Sequence, residues 1–225
     1  MNVARFTFNS LGENTYVVWD ETLEAVIIDA GNYNQIEDEK LFAFIEAKGL
    51  VVKCLLNTHG HFDHTPGIES LRARYGAPFC MNSADEPLLR QAVAQGRLFG
   101  FRSATEPLKI DKELADGDKI CFGNTTLEVL HTPGHCPGHL CYFNREEGVL
   151  FTGDTLFRES IGRTDLLGGD YDQIMESIVK KIIPLGDEVR IYPGHGGDSS
   201  VGHEAMYNPF VAEVLQGGFN QPFEE

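Results

Sequence analysis

Thr58-His59-Gly60-His61-Phe62-Asp63-His64-Thr65 is the stretch on which the reading of this chain turns. Three histidines and an aspartate fall within six positions, in a chain with eight histidines in all. Imidazole nitrogens and carboxylate oxygens are the common ligands of zinc and iron(II). An extended His-x-His sends both rings to the same side of the backbone. Asp63 and His64 follow as the chain turns, which suits two adjacent metals better than one.

The flanks show how the stretch is held. Residues 51–56, Val-Val-Lys-Cys-Leu-Leu, read as a strand that delivers the cluster. Pro66 opens a helix over about residues 67–75, with Thr65 as its cap. Upstream, residues 5–8, 14–19 and 25–28 alternate or run apolar as strands, the last ending at Asp29-Ala30-Gly31. A helix follows from Asn34, with Glu37 completing a capping box, Leu41, Phe44 and Ile45 as its apolar stripe, and Gly49 as its stop. Downstream come a strand at 77–81, a helix at 85–95 and an irregular stretch at 97–113. Strands follow at 120–122, 125–130, 140–143 and 149–151, then a helix at 170–183, a strand at 189–192 and a last helix at 204–215.

Three of these strands end as residues 51–56 do. They run into His131-Thr132-Pro133-Gly134-His135, Gly153-Asp154-Thr155 and Pro193-Gly194-His195-Gly196. In layered α/β proteins the loops beyond the carboxyl ends of strands converge on one rim. Four such ends therefore offer His or Asp to one site, on stiff Gly- and Pro-containing turns.

Composition bounds the rest. With 225 residues, 42% hydrophobic and 23% charged, the chain reads as one globular domain over residues 1–225. A formal charge of -16 repels phosphate backbones and anionic lipid, so neither nucleic acid nor membrane is an expected partner. An anionic substrate needs locally placed Arg or Lys. Five scattered cysteines form no disulfide framework; Cys54, Cys121 and Cys141 are expected in the core and Cys136 as loop filler. No leader or spanning run is visible, so the expected compartment is cytoplasmic.

The His59-Gly60-His61-Phe62-Asp63-His64 motif, with His135, Asp154 and His195 following, resembles the metallo-β-lactamase-fold hydrolases over nearly the whole chain. The resemblance implies an α/β, four-layered αββα sandwich, two mixed sheets face to face with helices outside. It implies His59, His61 and His135 at one divalent metal and Asp63, His64 and His195 at a second. Asp154 lies between them, and Asp29 supports the metal loop from behind. Zinc is the first expectation for both ions, and the donors also suit iron or manganese.

Thr132-Pro133-Gly134-His135-Cys136-Pro137-Gly138-His139, Thr152-Gly153-Asp154-Thr155-Leu156-Phe157 and Tyr192-Pro193-Gly194-His195-Gly196 are similar to glyoxalase II, and Ser160-Ile161-Gly162-Arg163-Thr164-Asp165 to its short bacterial type. That implies hydrolysis of a small-molecule acyl thioester such as S-D-lactoylglutathione by metal-activated water, with Asp63 and Asp154 as catalytic residues. The full-length enzyme carries a C-terminal helical region that supplies much of the glutathione site, whereas this chain ends 30 residues after His195. Thioester chemistry is thus carried further than glutathione as the thiol half. Arg158, Arg163 and His139 are the candidates to meet substrate; an ion pair of Arg163 with Asp165 is the competing reading. The alternative activity is a mononuclear-iron persulfide dioxygenase, which shares the Gly162-Arg163-Thr164-Asp165 element and would hold its iron with His59, His135 and Asp154. Lactamase action rests on fold analogy alone, and the lack of an export signal argues against it.

Overall fold

A computed structural model describes residues 1–101 and 107–218. Its first sheet takes its strands in chain order: β1 (Asn2–Phe8), β2 (Glu13–Trp19), β3 (Glu24–Ile28), β4 (Val51–Leu56), β5 (Phe79–Met81) and β6 (Lys112–Glu113). The first three are antiparallel, and β3 to β6 are parallel. Parallel neighbours need crossovers, and α1 (Gln35–Lys48), α2 (Ile68–Tyr75) and α3 (Glu86–Leu98) lie in those connections. The second sheet holds β7 (Lys119–Phe122), β8 (Thr125–His131), β9 (Leu140–Asn144) and β10 (Val149–Gly153). A small hairpin of β11 (Leu156–Phe157) and β12 (Ser160–Ile161), then α4 (Tyr171–Ser177), lead to β13 (Arg190–Pro193) and β14 (Ser199–Ser200). The sheet order is β14-β13-β10-β9-β8-β7, with only the β10–β13 pair parallel. Helices α5 (Val201–Tyr207) and α6 (Pro209–Glu213) follow, and a short wide helical turn over Val214–Gly218 closes the described chain.

Alternation along the strands creates the layers. In β2 and β3, Tyr16, Val18, Val26 and Ile28 face the second sheet, where they meet Ile120, Leu127, Val129, Leu140, Tyr142 and Phe151. Their sequence neighbours Val17, Ala25 and Ile27 face the other way, onto Leu41 and Ile45 of α1 and Ile68 and Leu71 of α2. The second sheet repeats the scheme: Cys141, Phe143, Leu150 and Ile191 pack outward on Ile174, Met175, Ile178 and Ile182. Each fully buried large apolar side chain contributes roughly 1.5–3 kcal/mol. Burial on both faces explains why these strands read as continuous apolar runs. Helix, sheet, sheet, helix is the four-layered αββα sandwich expected, with both sheets mixed.

Several boundaries moved for local reasons. Strand β1 starts at Asn2 rather than residue 5, because β2 pairs with it along its whole length, Asn2 opposite Trp19. Asn34 caps α1 as expected, and Gly49 ends it in the left-handed region at φ 66. Glu37 does not close the box on its own cap; its carboxylate accepts from the Tyr33 and Asn9 N–H groups. Thr65 does not cap α2, since its hydroxyl donates to the His61 carbonyl and Gly67 occupies the cap position. Helix α3 runs on to Leu98, and the stretch expected to be irregular holds β6; its residues 102–106 lie outside the described residues. The last helix is two, because Pro209 has no N–H to continue α5 and Asn208 caps α6 instead. Cys54 and Cys141 are buried, but Cys121 is exposed: β7 is an edge strand with one face outside the sandwich. Among the described residues no helix is long and apolar enough to cross a membrane.

Candidate metal centre

Topology gathers the loops. β3 and β4 are parallel, so the turns holding Asp29 and His59–His64 leave the same edge of the first sheet. In the second sheet β9 reverses between β8 and β10, and β13 is parallel to β10. The loops carrying His135, Asp154 and His195 therefore leave one edge as well. Cross-ties hold the two edges together: the Leu140 N–H donates to the Thr58 carbonyl (2.7 Å), the Asn14 N–H to the Gly194 carbonyl (2.8 Å) and the Tyr142 hydroxyl to the Asn57 carbonyl (2.5 Å).

The seven side chains singled out by the sequence meet there. His59, His61 and His135 form one donor set, with ligand atoms all within 4.8 Å; Asp63, His64 and His195 form another. Within the first, His135 Nε2 lies 2.9 Å from His61 Nδ1; within the second, His64 Nε2 lies 3.2 Å from His195 Nε2. Two nitrogens bound tetrahedrally to one zinc at about 2.0–2.1 Å stand roughly 3.3 Å apart, so both spacings are near that of metal ligands. Asp154 lies between the sets. Its Oδ2 is 3.7 Å from both His135 Nε2 and His195 Nε2, and its Oδ1 is 3.5 Å from His64 Nε2.

Hydrogen bonds behind the rings decide which nitrogen carries the proton. The single hydroxyl proton of Thr58 goes to Asp29 Oδ2 (2.8 Å), so the proton shared with His59 Nδ1 (2.9 Å) belongs to the imidazole. His64 Nδ1–H donates to Asp29 (3.0 Å), His135 Nδ1–H to the Arg163 carbonyl (2.7 Å) and His195 Nδ1–H to the Leu11 carbonyl (3.3 Å). Each of these four rings thus turns an Nε2 lone pair inward, the form a metal requires. Two inward atoms, His59 Nε2 and Asp154 Oδ1, are buried with no hydrogen-bond partner. Buried polar atoms are rarely left so, and a divalent cation is the partner these donors fit.

The charges agree. Burial, helped by neighbouring imidazoles, holds His59 well below its ordinary value and His61 down at about 4. Burial acts on His64 too, but the carboxylates of Asp154, Asp63 and Asp29 outweigh it and raise that ring well above its usual range; His195 is raised, Asp63 and Asp154 lowered, by the same pairing. The depressed histidines His59, His61 and buried His139 take stability away as pH falls below about 6.5, the unfolded value. The raised pair, His64 and His195, takes it away as pH rises above that point. With metals chelated, the thermal midpoint is expected to peak near pH 6.5; a midpoint flat from pH 5 to 8 would contradict this assignment.

Residues behind the donors hold the loops. Asp29 was expected as support, and it accepts from the Thr58 N–H (2.7 Å) as well as from Thr58 Oγ1 and His64. Asp85, before α3, was read only as a helix start. Buried, it accepts from the Gly60 N–H (3.2 Å), the Gly138 N–H (2.7 Å) and Cys136 Sγ (3.0 Å), tying the His59–His61 loop to the His135 loop. No spacing links these positions in the chain. Glu13 lies buried beside Asp29 and His64, burial pushing its carboxyl well up. Gly194 is required for steric reasons: a Cβ there would overlap Asp154 Oδ1 and come within 2.9 Å of His64 Cε1. Gly194→Ala is expected to lower metal affinity by about 10–100-fold, as for other perturbed ligand supports; unchanged affinity by competition with a chelating dye would show that the loop yields.

A cavity of about 540 Å³ opens over His61, Asp63, His135, Asp154 and His195. Phe62 and Phe157 wall it. The three substrate candidates fare differently. Arg163 lines the cavity, but its guanidinium is bound through two nitrogens to Asp165, each at 2.9 Å. Arg158 lies elsewhere, in a surface depression with Arg190, Asp198 and His203, because the β11–β12 turn carries it away from Phe157. His139 is wholly buried behind the ring; its Nε2 accepts the Asp154 N–H (3.0 Å) and its Nδ1 meets the Thr132 and Thr155 hydroxyls, so it positions Asp154 and does not line the cavity.

An αββα sandwich with such a His/Asp centre on its rim defines a class of metal-dependent hydrolases, and this chain belongs to the metallo-β-lactamase superfamily, whose family profile matches residues 9–195. Within it the chain is similar to a hydroxyacylglutathione hydrolase, GloC, of Haemophilus influenzae, at 35% identity over 212 residues, 94% of this chain and 98% of that protein. The crystal structure of TTHA1623 in a di-iron-bound form shares 37% identity and a TM-score of 0.82 over 92% of this chain and 100% of that one. The BLEG-1 B3 metallo-beta-lactamase structure gives 34% and 0.84 over 93% and 99%.

Proposed function

We propose that this metallo-hydrolase is a thioesterase of the glyoxalase II type, acting on a small-molecule acyl thioester. The observation that carries the reading is what surrounds the donors. Apart from them, the polar side chains described around the cavity are Gln91, Gln95 and Arg163, none able to give up a proton near neutral pH. A departing amine needs such a proton; a thiolate, of pKa about 8.5, leaves without one. The similarity to a hydroxyacylglutathione hydrolase supports the same chemistry.

His59, His61 and His135 would hold one divalent ion, Asp63, His64 and His195 a second, with Asp154 reaching both. Bound there, the ions supply a water acidic enough to ionise near pH 7 and an electrophile for the carbonyl oxygen. Asp63 Oδ2, 3.4 Å from His195 Nε2, orients the nucleophile from the cavity side. Asp29 and the carbonyls of Arg163 and Leu11 keep the imidazole protons outward. The apolar walls exclude bulk water from the acyl carbon.

Elemental analysis of protein purified without added metal, joined to a panel of S-D-lactoylglutathione, simpler thioesters and a β-lactam, tests the proposal. Two metals per chain and thioester turnover are expected. One iron with oxygen uptake on glutathione persulfide would instead establish the dioxygenase reading, in which Asp63, His64 and His195 have no metal to hold.

A further inference from the structure

Helix α3 divides two hollows. Leu88, Gln91 and Gln95 face the metal cavity, whereas Leu89, Ala92, Val93 and Gly96 face a second cavity of about 280 Å³. One side chain, Phe62, belongs to both walls. It stands between His61 and Asp63 in the chain, its ring stacked at 4.9 Å on Phe99 and 5.4 Å from Phe101. The second cavity is therefore one aromatic side chain away from the reacting centre.

Its lining asks for an apolar guest. The polar side chains among its described lining residues are engaged elsewhere: the Thr65 hydroxyl donates to the His61 carbonyl, the Ser70 hydroxyl to the Gly67 carbonyl, and Glu69 pairs with Arg72 at 3.0 Å. The metal cavity is no better suited to a charged acyl group. Among its described lining residues the cation is Arg163, which Asp165 already holds, and the chain as a whole carries -16. At about 30 Å³ for a water-sized group, 280 Å³ takes roughly eight or nine methylenes.

We infer that the acyl half of the substrate is an unbranched apolar chain that passes Phe62 into the cavity under α3. The inference rests on the thioesterase reading and narrows it to medium-chain acyl thioesters. The reaction is the same hydrolysis: the carbonyl carbon loses its bond to sulfur and gains the oxygen of water. A medium-chain carboxylate and a thiol are released.

Metal-loaded protein should be assayed on acetyl, butyryl, hexanoyl and octanoyl thioesters of one thiol, N-acetylcysteamine. Each buried methylene is worth roughly fourfold, so kcat/KM for octanoyl is expected at least thirtyfold above acetyl. Ala92→Phe, which fills the cavity, should lower the octanoyl-to-acetyl ratio at least tenfold. Independently of turnover, calorimetry on the metal-free protein should show the S-octyl thioether of N-acetylcysteamine binding more tightly than the S-methyl one, with the difference reduced in Ala92→Phe. A flat dependence on chain length, or equal binding of the two thioethers, overturns the inference and leaves the thioesterase reading standing. Turnover of no thioester at all overturns that reading and the inference with it.

Discussion

Asp154→Asn is expected to reduce metal content, from the proposed two ions per chain to one or none, and to lower the proposed thioester turnover by roughly a thousandfold or more. The substitution keeps the shape and removes one charge. Asp154 reaches both donor sets, its Oδ2 being 3.7 Å from His135 Nε2 and from His195 Nε2. An amide offers one oxygen to one side and presents N–H protons to the other, where lone pairs already converge. The backbone should not move, since the Asp154 N–H remains on His139 Nε2. A loss confined to the centre is therefore anticipated, with the circular-dichroism spectrum unchanged. Without metals a second effect follows. The three imidazoles of His64, His195 and His135 overcome burial and hold this carboxyl below its ordinary value, so it stabilises the chelated chain above the unfolded value of about 3.9. Asp154→Asn should then destabilise the chelated protein throughout about pH 4–7, the difference starting to shrink only below the unfolded value because the folded carboxyl is held far lower. Full metal occupancy with activity within tenfold of the parent would sink the bridging role.

The next largest effect is expected from Asp29→Asn, through proton placement. Asp29 accepts three hydrogen bonds, from the Thr58 N–H, Thr58 Oγ1 and His64 Nδ1. Its backbone lies in the left-handed region at φ 51, which Asn tolerates as Asp does. The change therefore tests the carboxylate and spares the turn. An amide cannot accept from all three donors. Oδ2 takes both the Thr58 hydroxyl and His64 Nδ1–H, and Oδ1 takes the Thr58 N–H. An NH₂ in place of Oδ2 forces the His64 proton onto Nε2, the atom the metal needs, and turns the Thr58 hydroxyl; an NH₂ in place of Oδ1 sets a donor against the Thr58 N–H and pushes the metal loop away. A loss of about 10–100-fold in affinity for one of two ions is anticipated, read by competition with a chelating dye, along with a fall in kcat. Asp29→Ala should be worse, combining the same loss with backbone strain. Parental affinity in Asp29→Asn would mean that the His64 tautomer is set elsewhere.

The contrast between these two aspartates and Asp85 shows where local pattern suffices. Tyr16, Val18 and Val26 betray their burial through period-two alternation, and Asn34 and Gly49 mark the ends of α1, because strand and helix geometry act over a few residues. The donors His59 to His64, His135, Asp154 and His195 were legible because each follows a buried-type strand on a Gly or Pro turn. Placement of His139 and Arg158 was not, since a one-residue change of direction in a loop decides whether a side chain faces a cavity or the layer behind it.

By itself the sequence determined the alternating pattern that makes two doubly buried sheets, the loops that end them, and the identity of the metal-competent side chains. Tertiary structure alone decided which imidazole nitrogen turns inward, that Asp85 ties a loop 25 residues before it at Gly60 to one 51 residues after it at Cys136, and that Phe62 divides two cavities. The reason is range. Propensity and periodicity are properties of neighbours along the backbone, whereas a proton's position or a cavity's wall depends on atoms brought together by packing, whose separation in the chain carries no mark of the contact.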